Sequence, residues 1–556
     1  MNSIFLSAQM SAKRGIKEFG ERAVAAMIKE FCQLNQGAFL GKPVVEPIDP
    51  STLSQQEILE ALEAISLIKE KRSRVVKGCT CANGSKQRKY LKEGESVASP
   101  TVSVEAMIVT FLIDAHEGRF VGSFNIPGAY LHTAMPSDKR VVMVLRGEFV
   151  DMMVEANPKY EAYIKYVNGK KILYLHVLCA IYGCIESAML WYNLFSTTLT
   201  KMGFTINPYD RCVANKMVNG KQCKVVWYVD DAKVSHMEEA VVRALIKDME
   251  KEFGEMKPTF GRSHEYLGMK ISITDQRTIS IDMRDQIREI LLDFSEPIAG
   301  EVVTPAAKHL MMLDNNATPL VKKQQEEFHS TTAKLLYLEK RARPDIETAV
   351  SFLTTRVSNP TTDDWKKLKR VLQYLKCTID IVRHVGCSDI THLHTWVDAA
   401  FAVHPNMRSH TGGTMSLGTG ILHSRSAKQK LNTKSSTEAE LVGVSEYLPY
   451  NIWLSHFMRK QGYEFKNNTL YQDNQSAIRM EVNGRNSCTG NSWHIDIRYF
   501  FVKDRIDKGE LSIRYCPTSV MLADFLTKPI QGTLFRKYRD IIMGIKPISI
   551  LFAETK

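Results

Sequence analysis

Residues 224–234 read Lys-Val-Val-Trp-Tyr-Val-Asp-Asp-Ala-Lys-Val. Two runs of β-forming residues flank a pair of acids, a pattern that predicts a hairpin. In the first arm Val225, Trp227 and Val229 face one way, and Val226 and Tyr228 the other. Asp230 and Asp231 fall at the turn. Adjacent carboxylates repel, so either full solvation or a cation must compensate them. Two-metal phosphoryl transfer uses such acids to hold ions about 3.5–4 Å apart. Mg²⁺ (or Mn²⁺) suits the role, because Mg²⁺ prefers oxygen ligands and pairs with substrate phosphates.

Working outward, the helix pattern of 238–253 places Val241, Leu245, Met249 and Phe253 inward, with Gly254 as its stop. Upstream, residues 119–131 combine a short strand with a bend at Pro127-Gly128, and Ser99-Pro100-Thr101 opens a helix to about Glu117. Earlier still, one helix is predicted over 12–34. A second starts at a Ser54/Glu57 capping box and carries its apolar face through Leu59, Leu62, Ile65 and Ile68. Lys77, Lys86, Arg88 and Lys89 surround Asn83-Gly84, a hairpin-turn signal. That stretch is either a solvated β-ribbon or a phosphate-contacting finger.

Downstream, 328–377 is helical and holds Lys366, Lys367, Lys369 and Arg370. These cations could track phosphates or simply form a solvated face. Residues 381–390 read as a link. Beyond it, a strand ends at Asp398, and Gly412-Gly413 and Gly418-Thr419-Gly420 suggest turns. A helix capped by Ser435 and Glu438 carries Glu440 and is expected to break or kink at Pro449. A strand over 469–472 delivers Asp473, Asn474 caps the next helix, and Asp524 opens a last one. Acids at strand ends and on a neighbouring helix can converge on one sheet edge. Four converging carboxylates require divalent metal.

The 556 residues exceed one domain. With 44% hydrophobic and 24% charged residues the chain reads as globular. A net charge of +12 suits a polyanionic partner. The 11 cysteines form no C-x-x-C pair and read as reduced thiols. No signal-peptide pattern opens the chain, and no apolar run approaches the roughly 20 residues needed to span a bilayer. The expected setting is intracellular, as a cytoplasmic particle or in the nucleus, with no membrane insertion. The oligomeric state is left open.

From about residue 12 to 545 the sequence resembles the reverse transcriptase–RNase H region of copia-type LTR retrotransposons. The resemblance rests on Lys77-Gly78, Gln87-Arg88, Ser99-Pro100-Thr101, the run Ile126 to Leu131, Tyr182-Gly183, Trp191-Tyr192, Tyr228 to Asp231 and Tyr266-Leu267-Gly268-Met269. In the last third it rests on Trp396-Val397-Asp398-Ala399, the run Ser435 to Glu440, the run Gln472 to Ala477, the run His494 to Tyr499 and the run Ala523 to Pro529. It implies an α+β multidomain fold. A right-hand polymerase would have fingers and palm at 12–270 and a thumb or connection at 271–387. A mixed α/β RNase H-like domain would follow at 388–545.

The resemblance also implies roles. Asp230 would bind metal, with Asp231 as its less directly coordinating neighbour. Tyr130 would screen the sugar 2′ position, Tyr182 and Gly183 would line the nucleotide pocket, and Lys77 would contact the triphosphate. Arg88 would touch nucleic acid. Asp398, Glu440, Asp473 and Asp524 would hold two ions, and Glu440 is preferred to Glu438, which the cap uses. His494 reads as structural or second to the ligands. Implied partners are an RNA template, a DNA primer, deoxynucleoside triphosphates and an RNA–DNA hybrid.

Two positions depart from the family. Asn125 stands where the family has a metal-bridging Asp, and Cys79 where it has Arg. Losing one well-placed electrostatic contact typically costs about 10²–10³ in rate. The expectation is an impaired polymerase beside an intact RNase H site. The rival expectation is a non-catalytic nucleic-acid-binding remnant of a decayed or domesticated element.

Overall fold

The hairpin quoted above forms the middle of a six-stranded sheet. In the computed structural model, which describes residues 9–37, 41–70, 74–90, 97–136, 140–484 and 496–553, strand Lys221–Tyr228 pairs antiparallel with Asp231–His236. The sheet order is 259–260, 120–125, 231–236, 221–228, 213–218, 205–206. Both faces of the first arm are covered: Val225, Val226 and Trp227 are all buried. Helix Val104–Glu117 buries ten residues, Ala106 to Ala115, and all but Thr110 and Asp114 join the same hydrophobic core.

That core contains charge that no local pattern reveals. Asp114 is fully buried and accepts hydrogen bonds from Lys233 and from Ser235, the latter at 2.7 Å. Lys224 lies 3.8 Å away and is also fully buried. Burial pushes the Asp114 carboxyl up, but Lys233, Lys224 and Arg119 together hold it at about 2. Removing either partner would strand a buried charge.

Several predicted elements shift. The early helix is two, Ala12–Phe19 and Glu21–Gln36, divided at Gly20 with φ +56°. The Ser54/Glu57 capping box forms, but its helix ends at Glu60. The apolar run Leu62–Glu70 is a strand, pairing with Gln9–Ser11, Val76–Ala82 and Val142–Arg146. Cross-strand pairing on both edges outweighs the helical spacing of Leu62, Ile65 and Ile68, as tertiary context overrides local pattern. Asn83-Gly84 is not the hairpin turn. It leads into the 3₁₀ segment Gly84–Tyr90. These strands belong to a seven-stranded sheet.

The expected link at 381–390 is a strand, Arg383–Cys387. It pairs with Ile279–Asp282 and Gly418–Thr419 in a five-stranded sheet. That sheet crosses both lines drawn at 270/271 and 387/388. The helical region resolves into Lys322–Glu339, Glu347–Thr354 and Thr362–Cys377. Helix Ser436–Lys460 runs through Pro449 without breaking.

The last sheet orders its strands 423–428, 410–416, 392–400, 467–472, 512–515. The final two pairings are parallel. Its long helix packs back on the six-stranded sheet. Trp453 Nε1 donates to the Tyr209 carbonyl at 2.8 Å, and Gln222 donates to the Gln461 carbonyl at 2.9 Å. Arg119 donates to the Tyr463 hydroxyl at 3.1 Å, and that hydroxyl donates to Glu117. Among the described residues no helix is long and apolar enough to cross a membrane.

Helix Gln475–Asn483 buries Glu481 completely, and among the described residues neither carboxylate oxygen has a hydrogen-bond partner. Burial pushes this carboxyl up to about 8 from 4.5. Its folded value is raised, so its contribution to stability is full below about 4.5 and is lost as pH rises through about 8. Thermal melts across that window should show wild type losing a few kcal/mol relative to Glu481→Gln. Parallel melting profiles for the two proteins would contradict this.

Candidate active sites

The first site is a turn under tension. Val229 occupies φ +56°, which a β-branched residue rarely adopts. Three contacts hold it there. Trp191 Nε1 donates to the Val229 carbonyl at 2.6 Å, Ile126 N–H donates to the Asp230 carbonyl at 2.8 Å, and the Tyr266 hydroxyl donates to the Asp231 carbonyl at 3.3 Å. Strain of this kind persists only where the surroundings over-determine it.

Strand Phe120–Asn125 pairs with the second arm so that Asn125 lies opposite Asp231. The Asn125 amide donates to Asp230 Oδ2 and to Asp231 Oδ1, each at 3.0 Å. Burial pushes the Asp231 carboxyl up, the Asn125 hydrogen bond pulls it back, and the Asp230 charge pushes it up again. The amide therefore does between the two acids what a cation would do. Turning its oxygen inward instead would set three acceptors against one another. The donor set as folded does not fit a pair of metal ions.

The predicted pocket residues gather beside this turn. The rings of Tyr130 and Tyr182 lie 4.6 Å apart. Burial and the Asp230 charge push the Tyr130 hydroxyl up to about 12. Gly183 sits at φ +93°, and a Cβ there would fall 1.9 Å from the Ala82 carbonyl oxygen. Only glycine permits strand Val76–Ala82 to approach so closely. Lys77 on that strand is exposed, as is Arg88. Cys79 Sγ lies 3.6 Å from Cys81 Sγ, so this stretch of strand offers thiols and no guanidinium.

The cations of helix Thr362–Cys377 do not form a free phosphate-tracking face. Lys367 is buried and pairs with Asp363 at 2.8 Å. Lys369 pairs with Glu296 at 2.9 Å, and Arg370 donates to Thr304 at 3.0 Å. Lys366 is exposed. A cleft of about 850 Å³ beside Asp231 carries both signs of charge, with Lys69, Lys270, Arg284, Arg288 and Lys334 among Glu70, Glu265, Asp282, Asp285, Glu289 and Asp293. Arg284 pairs with Asp282 at 2.8 Å, Arg288 with Asp285 at 2.8 Å and Lys334 with Asp293 at 2.7 Å. Arg284 and Arg288 share helix Arg284–Asp293, while Lys69, Lys270 and Lys334 come from three other elements. The cleft also includes the turn at Leu267-Gly268, both at positive φ, where Tyr337 donates to the Leu267 carbonyl at 2.7 Å.

The second site assembles at the edge of the last sheet. Strand His392–Ala400 carries Asp398, strand Asn467–Gln472 leads into Asp473, and the short helix Asp524–Thr527 opens with Asp524. One oxygen of each lies within 4.8 Å of the others. Gly412 and Gly413, predicted as a turn, lie inside strand His410–Ser416. A Cβ on Gly412 would meet Thr527 at 2.6 Å and the Ala523 carbonyl at 2.8 Å, and one on Gly413 would strike the Tyr447 ring. The glycines admit the Asp524 helix on one side and the long helix on the other, which is what a strand-interior glycine often signals.

Glu440, predicted as the fourth ligand on helix Ser436–Lys460, lies close enough to feel Asp398 and Asp473 but is not one of the three acids that share the 4.8 Å grouping. Gln472 donates to it at 3.4 Å. Burial, then the Asp398 and Asp473 charges, push its carboxyl well above the usual range. Glu438 remains at the helix start, accepting from Lys434 N–H at 2.8 Å. Burial and Asp398 push Asp524 up to about 7 against the pull of Lys528, and the same two causes raise Asp473. Thr527 donates to Asp398, and Thr518 donates to Asp473 at 3.0 Å. An all-carboxylate donor set at one point, destabilised by its own charge, fits a hard divalent cation. The sequence reading missed Thr518, Thr527 and Lys528. The i,i+4 spacing of Asp524 and Lys528 was the available signal. His494 lies outside the described residues.

Residues 63–308 match the family described as reverse transcriptase (RNA-dependent DNA polymerase). The retrovirus-related Pol polyprotein of transposon TNT 1-94 from Nicotiana tabacum is 27% identical over 383 residues, 68% of this chain and 28% of that protein. The Pol polyprotein of transposon RE2 from Arabidopsis thaliana is 26% identical over 372 residues, 66% of this chain and 25% of that protein. The chain thus spans about a quarter of the length of these curated relatives. A prototype foamy virus protease–reverse transcriptase structure is 10% identical, covers 85% of this chain and 51% of its own, and has a TM-score of 0.26, too low to bear on the fold. Residues 63–308 therefore carry reverse transcriptase sequence, and about two thirds of the chain is similar to transposon Pol polyproteins.

Proposed function

We propose that the chain is the reverse transcriptase–RNase H portion of a copia-type retroelement Pol protein, with an impaired polymerase site and a working nuclease site. Fingers and palm would occupy 12–270, thumb or connection 271–387 and the nuclease 388–545, with the five-stranded sheet that spans both boundaries tying the three together. The single observation that carries the nuclease reading is the convergence of Asp398, Asp473 and Asp524, drawn from three separate elements. Divalent ions, when bound, would activate water and stabilise the leaving oxygen. Asp398, whose Oδ2 accepts from Thr527, would be one of the residues that hold them. Asp473, Asp524 and Glu440 would be the other residues to hold them. The substrate would be the RNA strand of an RNA–DNA hybrid, distinguished from DNA by its 2′-hydroxyls.

The polymerase reading draws on Asp230, Asp231, Tyr130 and Tyr182, for template, primer and deoxynucleoside triphosphate. One observation favours a second reading, a non-catalytic nucleic-acid-binding remnant: the Asn125 amide already bridges Asp230 and Asp231. A labelled RNA–DNA hybrid incubated with the protein and Mg²⁺ separates the two. Nicking of the RNA strand, with the DNA strand intact and the reaction stopped by chelator, is the expected result. Salt-sensitive binding without nicking would replace the nuclease reading with the remnant.

A further inference from the structure

One cation already stands in the second acidic cluster. Lys528 Nζ donates to Asp524 Oδ1 at 2.6 Å and lies 3.6 Å from Asp398 Oδ2. Among the described residues no other basic side chain pairs with Asp398, Glu440, Asp473 or Asp524. The backbone aims it there. Lys528 caps the Asp524–Thr527 helix, its N–H donating to the Asp524 carbonyl at 3.0 Å. Its own φ −128°, ψ 141° is extended, as expected before Pro529. The Ile530 N–H returns to the Lys528 carbonyl at 2.8 Å, and Gln531 holds the Pro529 carbonyl at 2.9 Å. The side chain is 44% exposed, so the ammonium enters from the solvent edge and can leave the same way.

Resting on the nuclease reading, we infer that Lys528 is a resident counter-cation. It bridges Asp524 and Asp398 when no metal is bound, and it competes with the divalent ion for that edge. The reasoning is electrostatic. A cluster of four carboxylates cannot stay close without positive charge, and the nearest unit charge is this ammonium. A metal ion that takes Asp398 and Asp524 must displace it. Lys528 would then set the metal concentration at which the site fills and keep the empty site folded. It is a positioning residue, tied to the carboxylates and not to the reacting phosphate.

The test uses the full chain, with Mn²⁺ alone as probe, read by calorimetry in mildly alkaline buffer, together with melting curves in chelator. Lys528→Gln should bind Mn²⁺ about tenfold more tightly and melt lower than wild type without metal, with the gap closing when Mn²⁺ is added. Lys528→Arg, which keeps the charge, should resemble wild type in both. Unchanged or weaker Mn²⁺ affinity in Lys528→Gln, with wild type binding normally, overturns the inference and leaves the nuclease reading standing. A wild-type protein that takes up no Mn²⁺ overturns both. A Lys528→Gln chain that fails to fold in chelator but recovers with Mn²⁺ supports the counter-cation role.

Discussion

Asp473→Asn should lower Mg²⁺-dependent cleavage of an RNA–DNA hybrid by about 10³-fold or more. The substitution is nearly isosteric. The amide oxygen can still accept from Thr518, which donates to Asp473 Oδ2 at 3.0 Å. The backbone at 473 stays pinned, because its N–H donates to Gln472 Oε1 at 2.8 Å. Only a charge is lost, and it is lost at the most open member of the cluster. Asp398 and Asp524 are buried, whereas Asp473 is half-buried. The effect on stability should run the other way. Burial and Asp398 already disfavour the ionised Asp473, so its neutral replacement should raise the melting temperature in chelator. Single-turnover cleavage and chelator melts on the same preparations read both quantities. Cleavage within tenfold of wild type would remove Asp473, and with it the cluster, from the chemistry.

The contrast between these two readouts explains what the sequence could and could not disclose. Acids at strand ends are legible because a strand is a short, patterned object and its terminus can be counted. Asp473 directly follows strand Asn467–Gln472, Asp398 lies just inside the end of strand His392–Ala400, and Asn474 caps the next helix through two backbone N–H groups at 3.0 Å. The hairpin at 224–234 was legible for the same reason. What escaped is tertiary. Lys367, Lys369 and Arg370 share a helix with exposed Lys366, but Asp363, Glu296 and Thr304 absorb them. Gly412-Gly413 looks like a turn until Thr527 and Tyr447 are seen pressing on it. Leu62–Glu70 has helical spacing, yet strands on either side claim its backbone. The buried Asp114–Lys233 pair spans 119 residues of chain, so nothing local announces it.

Asn125→Asp should restore primer extension by at least about 10²-fold on an RNA template. The argument is geometric. Asn125 sits directly across the sheet from Asp231, and its amide hydrogens point at both acids. It thus costs the site twice: one negative charge is missing, and the space between Asp230 and Asp231 is filled by donors. A carboxylate at 125 cannot donate. It would repel Asp230 and Asp231 until a cation arrived, so the variant should melt lower than wild type in chelator and regain the difference with Mg²⁺. That coupling of activity to metal-dependent stability separates repair of a metal site from a general improvement in folding. Cys79→Arg, added to it, tests the other departure. The Cys79 thiol lies beside Cys81 on the strand that reaches Gly183, and it offers no bidentate donor to a phosphate. The double variant should therefore extend further than Asn125→Asp alone. Equal, robust extension by wild type and the double variant would show that the amide bridge yields readily to metal, and the impaired-polymerase account would fall.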